Sequence, residues 1–394
     1  GINKQSKSIQ KMRFFLKIRL LKYFLFSFTL FIVLIGCNEQ NKIKPIHDEP
    51  ALKTAFDKAF LIGSAVNDNL ILGKDSLAVQ LVKREYNTIT PENSMKWMFM
   101  EPEKGTFNFE MADQYVDFSA KNNLVFVGHN LVWHSQLAAW VSKIDSKEEL
   151  SESLKNHIQT IVSRYRGKIH GWDVVNEALN EDGTLRNSLF LEKLGPDYLI
   201  KSFKWAQESD PTVELYYNDY NMTNPEKRAG AMKLVQMLQE NGAKIDGIGM
   251  QGHWNLEGPS LNEIEESIIA YSDLGLQVMI TELDITVIPN PWDLQGAEVN
   301  QNFEGSEFMN PYPTQLPDSV SNKLAKRYHD IFQIFKKHED KISRVTFWGV
   351  NDGQSWLNNW PIKNRTNYPL LFDRQFKPKA AYYSVLQIAN DSLN

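Results

Sequence analysis

Short apolar runs alternate with longer segments of helical periodicity eight times over about 340 residues. This alternation is typical of parallel strands, because each parallel pair needs a crossover that a helix usually provides. We therefore predict an α/β fold, a (β/α)8 TIM barrel, with a doubly wound open sheet as the alternative. No Gly-x-Gly-x-x-Gly turn follows the first run, which disfavours a dinucleotide-binding open sheet. The predicted strands span residues 59–67, 86–93, 123–130, 169–177, 213–219, 246–253, 276–284 and 343–350.

Capping residues mark the helices between these strands. Ser146 and Glu149 have the spacing of a capping box at the start of an apolar stripe. Pro196 and Pro225 are each predicted at a first helical position, where the missing N–H has no intrahelical partner to lose.

One stretch, Val287 to Ser321, is rich in Pro, Asn and Gly and shows no periodicity. Loops of this length are uncommon unless they are functional or disordered. The stretch follows the seventh strand, on the face where barrel active sites lie, and its effect on ligand binding stays open.

The N-terminal segment predicts export. From Met12 it carries basic residues and then an apolar run at about 23–35, the layout of a secretory signal peptide. The small residue before the lone cysteine, Cys37, resembles a bacterial lipobox, in which the cysteine is lipidated. A single transmembrane anchor is the alternative, although the run is short for the roughly 20 residues of a span. We expect an extension and signal peptide over 1–36, a lipidated tether over 37–50 and one catalytic domain over 51–394.

The net charge and the aromatic content indicate which kinds of ligand the protein is suited to bind. The net charge of −5 gives no support to nucleic-acid binding, which calls for basic clusters. Ten tryptophans and fourteen tyrosines are many, and they can either fill the core or serve as flat surfaces that stack on ligand rings.

Polar or aromatic residues end seven of the eight predicted strands, where a purely structural barrel needs only turns. Because reactive groups of barrels come from the carboxyl ends of strands, this clustering predicts one site. The residues concerned, in strand order, are Glu92, Asn93, Lys96, Trp97, His129, Trp133, His134, Gln136, Asn176, Glu177, Asn218, Asp219, Tyr220, Gln251, His253, Glu282, Asp284, Trp348 and Trp356.

Two carboxylates, Glu177 and Glu282, close apolar runs on the fourth and seventh strands. Each alone could be a salt-bridged strand cap. Together they fit glycoside hydrolysis, which needs one protonated carboxyl to donate to the leaving oxygen and one ionised carboxyl to attack or to activate water.

A metal site is the competing interpretation. The residue types are right in His129, His134, His253, Glu282 and Asp284, but no His-Glu-x-x-His occurs. The histidines also come with tryptophans, which suit sugar rings better than a zinc shell. The Gly-x-Ser-x-Gly turn that a serine hydrolase would need does not occur in this sequence. We expect no metal and no cofactor.

The chain resembles glycoside hydrolase family 10, the β-1,4-xylanases, over about residues 51–388. The resemblance is carried, in family order, by the blocks TPENSMKW (90–97), GHNLVWHSQ (128–136), WDVVNEA (172–178), YNDYN (217–221), MQGHW (250–254), ITELDI (280–285) and FWGVNDGQSW (347–356). Asn130, where the family often has Thr, and the NDGQSW segment are small departures.

The resemblance implies a role for each matching residue. Glu177 would be the general acid/base and Glu282 the nucleophile of a retaining reaction, which places the two carboxyls about 5–5.5 Å apart. Asp284 would hold His253, and His253 would bond Glu282. The remaining implied substrate contacts are Asn93, Lys96, His129, Trp133, Gln136, Asn176, Tyr220, Gln251, Trp348 and Trp356.

The expected function is that of an endo-1,4-β-xylanase acting on xylan and xylo-oligosaccharides. A β-1,4-glucanase on the same barrel and a non-catalytic glycan-binding surface lipoprotein are the alternatives. We expect a monomer that is exported to the cell envelope or cell surface and anchored to a bacterial membrane at Cys37.

One geometric condition follows from the fourth strand. Asn176 and Glu177 are adjacent, so regular alternation would send them to opposite faces. For both to reach one sugar, the strand must bend or end between them.

Overall fold

The computed structural model describes residues 50–390, and in this range it contains nine strands and twelve α-helices. The strands are β1 (Leu61–Val66), β2 (Thr88–Pro91), β3 (Val125–Trp133), β4 (Gly171–Asn176), β5 (Glu214–Asp219), β6 (Gly247–Met250), β7 (His253–Asn255), β8 (Gln277–Thr286) and β9 (Ile342–Phe347). The helices are α1 (Leu52–Ala55), α2 (Asp68–Ile71), α3 (Ser76–Glu85), α4 (Trp97–Met100), α5 (Glu110–Lys121), α6 (Lys147–Arg164), α7 (Leu189–Leu194), α8 (Asp197–Ser209), α9 (Pro225–Glu240), α10 (Leu261–Ser272), α11 (Asp318–Lys337) and α12 (Ala380–Asn390).

Eight of these strands form a closed parallel ring. β1 to β6 pair in chain order, β6 pairs with β8, β8 with β9, and β9 returns to β1. Closure confirms the (β/α)8 barrel and excludes the open sheet, which would leave two edge strands. The carboxyl ends of all eight strands therefore meet at one face.

The prediction of a single strand over 246–253 is wrong. The chain breaks at Gly252, which has a φ of 85°, and the segment divides into β6 in the ring and β7 outside it. β7 pairs with the end of β8, so that His253 lies opposite Asp284. This break brings the histidine to the face where the site was expected.

Helix capping follows the sequence in part. Ser146 caps α6 by accepting a hydrogen bond from the Glu149 N–H at 3.2 Å, but the Glu149 carboxylate pairs with Lys104 at 2.5 Å instead of returning to the cap. Pro225 is the first residue of α9, as predicted, whereas Pro196 lies one position before α8.

The loop predicted after the seventh strand is present between β8 and α11. It contains one short 3-10 turn, Glu307–Met309, and α11 begins at Asp318, three residues before the predicted end of the loop.

β3 and β4 pack closely at Gly128, the residue before His129. A Cβ on Gly128 would lie 2.2 Å from the ring of Trp172, so only glycine lets this buried indole lie against the backbone.

The predicted signal peptide (1–36), Cys37 and the tether as far as residue 49 lie outside the described residues. None of the helices within residues 50–390 combines the length and the apolar character that a membrane span requires.

Candidate active site

The carboxyl ends of the barrel strands surround a cavity of about 210 Å³. Its wall contains twelve of the residues expected to act on or contact a ligand: Asn93, Lys96, His129, Trp133, Gln136, Asn176, Glu177, Gln251, His253, Glu282, Trp348 and Trp356. Four lining residues were not in that predicted set: Glu92, Ala297, Val299 and Trp360. Glu92 ends a predicted strand, but the other three come from loops whose path no periodicity reveals.

The end of β4 brings two adjacent residues to the same cavity. β4 ends at Asn176, and its register against β5 shifts between Asp173 and Val175. Glu177 has a φ of 57°, a left-handed conformation that is uncommon outside glycine, and its N–H donates to the Asn218 carbonyl at 2.9 Å. The strand thus ends between Asn176 and Glu177, which is the condition for both side chains to reach one ligand.

Two short hydrogen bonds hold the buried carboxyl of Glu177. Its Oε2 accepts from the Trp133 indole at 2.8 Å and its Oε1 from the Gln251 amide at 2.9 Å. Burial raises the pKa of Glu177; His134 opposes this effect, and nearby acidic groups, including Glu282, add to it. Glu177 is therefore suited to carry a proton that it can give away.

Glu282 is equally buried, but its surroundings act in the opposite direction. Its Oε2 lies 3.1 Å from His253 Nε2, and its Oε1 accepts from Asn218 Nδ2 at 2.9 Å. Burial alone would raise the pKa of Glu282, yet the hydrogen bond from His253 and nearby positive charge lower it. Glu282 is therefore suited to act as an ionised nucleophile.

His253 owes its charge to Asp284. Its Nδ1 lies 2.9 Å from Asp284 Oδ1. Burial opposes protonation, but the charge of Asp284 and hydrogen bonds to Asp284 and Glu282 raise the pKa of His253 to about 10. The ring is then an imidazolium at neutral pH and donates from both nitrogens.

Asn218 connects the surroundings of the two carboxyls. Its Nδ2 donates to Asn176 Oδ1 at 2.9 Å as well as to Glu282, and its Oδ1 accepts from the Thr281 hydroxyl at 2.5 Å. The sequence placed Asn218 at a polar strand end without assigning it a role, because a contact between strands depends on register.

Further polar groups on the wall are fixed by neighbours. Lys96 donates to Asn93 Oδ1 at 2.9 Å, and burial lowers the pKa of Lys96 although the charges of Glu282 and Glu92 oppose this. His129 Nδ1 lies 2.8 Å from Asp173 Oδ2.

Tryptophans supply the flat surfaces of the cavity. Trp356 donates to Asp284 Oδ2 at 2.8 Å and stacks on Trp360 with 4.3 Å between ring centroids. Trp348 lies edge-on to His129 at 5.5 Å. Aromatic faces beside fixed polar groups suit a sugar ring, which is apolar on its faces and polar at its edge.

Tyr220 differs from its expected position. It does not line the cavity, and the residue is 3% exposed. The Lys227 ammonium lies 3.7 Å from its ring centroid, and its hydroxyl accepts from Arg186 at 2.5 Å. Because its ring is covered, Tyr220 supports the wall rather than presenting a surface to a sugar.

Among the described residues, the carboxylate and imidazole groups of His134, Glu177 and Glu298 lie within 4.8 Å of one another, close enough to hold a metal ion. The Arg186 guanidinium already bonds Glu298 at 2.9 Å. A fixed cation at this distance opposes a second one, so the group is better described as an ion-pair cluster.

The family model described as Glycosyl hydrolase family 10 matches residues 51–388. The chain belongs to glycosyl hydrolase family 10. Endo-1,4-beta-xylanase A of Xylanibacter ruminicola is 40% identical over 346 residues, which cover 86% of this chain and 94% of that protein. Endo-1,4-beta-xylanase B of Paenibacillus barcinonensis is 38% identical over 344 residues, or 86% and 98% of the two chains. A solved family 10 endoxylanase from a sugarcane soil metagenome is 45% identical, with a TM-score of 0.82 over 86% of this chain and 100% of that one.

The charge of His253 predicts how the stability of this family 10 chain depends on pH. Its folded pKa of about 10 lies above the ordinary value of 6.5, so its contribution to stability is complete below pH 6.5 and is lost as pH rises toward 10. We expect the stability advantage of the wild type over His253→Asn to shrink across this range, by up to about 1.4 kcal/mol per pH unit. Urea unfolding at each pH measures it.

The matched control is His170→Asn, which makes the same change at a half-exposed histidine that does not line the cavity. A constant free-energy difference between wild type and His253→Asn from pH 6 to 10 contradicts the assignment of an imidazolium.

Proposed function

We propose that this chain is an endo-1,4-β-xylanase that cuts internal bonds of xylan by a retaining double displacement. The observation that carries the proposal is the pair of buried carboxyls in one cavity, with the pKa of Glu177 raised and that of Glu282 lowered. Relatives named endo-1,4-beta-xylanase favour xylan over a β-1,4-glucan, and the carboxyl pair argues against a purely glycan-binding protein.

In the first step, Glu282 Oε attacks the anomeric carbon while Glu177 gives its proton to the glycosidic oxygen. The bond between that carbon and the leaving oxygen breaks, and a glycosyl ester on Glu282 forms. The His253 imidazolium keeps Glu282 ionised and directed before the attack, so little reorganisation is needed during the reaction.

In the second step, Glu177 is ionised and removes a proton from water, whose oxygen attacks the same carbon. The ester bond breaks, Glu282 leaves as a carboxylate and Glu177 is protonated again. Two displacements at one carbon restore the β configuration.

In this mechanism, Asn176 bonds the sugar hydroxyl beside the anomeric carbon. Its Oδ1 is held by Asn218 at 2.9 Å, while its Nδ2 makes only a long 3.3 Å contact with Glu177. A donor with a weak internal partner can turn to a substrate oxygen at little cost.

The two carboxyl roles predict opposite products in the presence of azide. With a 2,4-dinitrophenyl β-xylobioside, Glu177→Ala should still form the glycosyl ester, and azide should release a β-glycosyl azide. Glu282→Ala should turn over only with azide, which attacks the opposite face and gives the α-azide. On xylan, Glu177→Ala should lose about 10²–10⁴-fold in kcat/KM. NMR of the azide products checks the assignment.

The control is Glu257→Ala, at an exposed glutamate after β7, which should hydrolyse xylan normally and form no azide. Full xylan hydrolysis by both Glu177→Ala and Glu282→Ala would show that the mechanism is wrong.

We propose further that the protein is exported and held at a bacterial membrane by a lipid on Cys37. The basic residues, the apolar run and the single cysteine that follows it support this proposal.

The anchor predicts a change in fractionation. In a bacterial host that processes lipoproteins, the wild type should partition with membranes and be labelled by a palmitate analogue, whereas Cys37→Ser should carry no label. Equal labelling of both forms excludes this site, and membrane association of Cys37→Ser without label favours the transmembrane alternative.

A further inference from the structure

The loop between β8 and α11 returns to the active site at the segment 297–299, whose outer two residues line the cavity. Glu298, between them, has a side chain that is 19% exposed. Its Oε2 lies 3.0 Å from His134 Nε2 and 2.9 Å from Arg186 Nη1. The Glu298 carboxylate thus joins this segment of the loop to the barrel through two partners.

Both partners of Glu298, Arg186 and His134, are close to groups that hold Glu177 in place. Arg186 Nε donates to the Glu177 carbonyl oxygen at 2.9 Å, and its Nη2 donates to the Leu179 carbonyl at 3.2 Å. His134 follows Trp133, whose indole N–H donates to the Glu177 carboxyl at 2.8 Å. One partner therefore holds the backbone of Glu177, and the other adjoins the group that holds its side chain.

The charge of Glu298 suits this position. The hydrogen bond from His134 lowers the pKa of Glu298 to about 2, although burial opposes it, so the carboxylate is ionised at neutral pH. It then neutralises the Arg186 guanidinium beside Glu177. Without that anion, the positive charge would favour ionised Glu177 and weaken it as a proton donor.

We propose that Glu298 is a positioning residue for Glu177, and that by holding Arg186 and His134 it keeps the acid/base carboxyl directed at the leaving oxygen. The proposal rests on the proposed function, because it requires Glu177 to be the proton donor. It also gives the long loop a role in the reaction.

The test uses substrates that differ in their need for a proton. Xylotetraose has a poor leaving group that must be protonated, whereas a 2,4-dinitrophenyl β-xylobioside has a leaving group that departs without protonation. In the full-length protein, Glu298→Gln should lower kcat/KM on xylotetraose about tenfold and on the aryl substrate less than about twofold. The alkaline limb of the xylotetraose profile should move to lower pH. Glu298→Ala should show a larger difference between the substrates than Glu298→Gln.

The matched control is Glu304→Gln, which makes the same change at an exposed glutamate of the same loop and should leave both rates unchanged. Equal losses on both substrates, with or without a lower melting temperature, mean that Glu298 only holds the loop, and the proposal is then wrong. Unchanged rates on both substrates also overturn it. The wild-type rate on xylotetraose distinguishes failure of the Glu298 proposal from failure of the proposed function. An inactive wild type would overturn the proposed function itself.

Discussion

The hydrogen bond between the His253 imidazolium and Glu282 is the interaction that makes the pKa values of the two carboxyl groups differ. Both Glu177 and Glu282 are almost fully buried, and burial pushes the pKa of each upward. Only Glu282 has a charged donor, at 3.1 Å, and Asp284 keeps that donor charged. Glu282 has a hydrogen-bonded cation and Glu177 has none, and this difference suits Glu282 to be the nucleophile and Glu177 to be the proton donor.

The barrel places these groups through local breaks in regular structure. The chain leaves the ring at Gly252, which allows β7 to lie beside β8 and sets His253 opposite Asp284. β4 ends at Asn176, and Glu177 turns into the left-handed region. Regular strands would have directed adjacent side chains to opposite faces, so the site exists where the strands cease to be regular.

The fold was largely predictable from sequence, because eight apolar runs with helical segments between them leave few other solutions. The catalytic pair and most of the cavity wall followed from strand ends and family blocks. The break at Gly252 was missed, since an isolated glycine does not reveal its φ. Trp360 was missed as a site residue because its position depends on the path of a loop. Asn218 was placed at a polar strand end, but it was given no role because its contacts depend on the register between strands. Glu298 lies 112 positions from Arg186 in the chain, a contact that no local pattern encodes.

The stereochemistry of the first product tests the central claim most directly, that two carboxyls of opposite protonation carry a double displacement. Proton NMR of xylotetraose during hydrolysis by the wild type shows the anomer released before mutarotation mixes the two forms. Our interpretation predicts that the β-anomer appears first and the α-anomer only later. If the α-anomer appears first, a single displacement by water has occurred, and Glu282 is not the nucleophile.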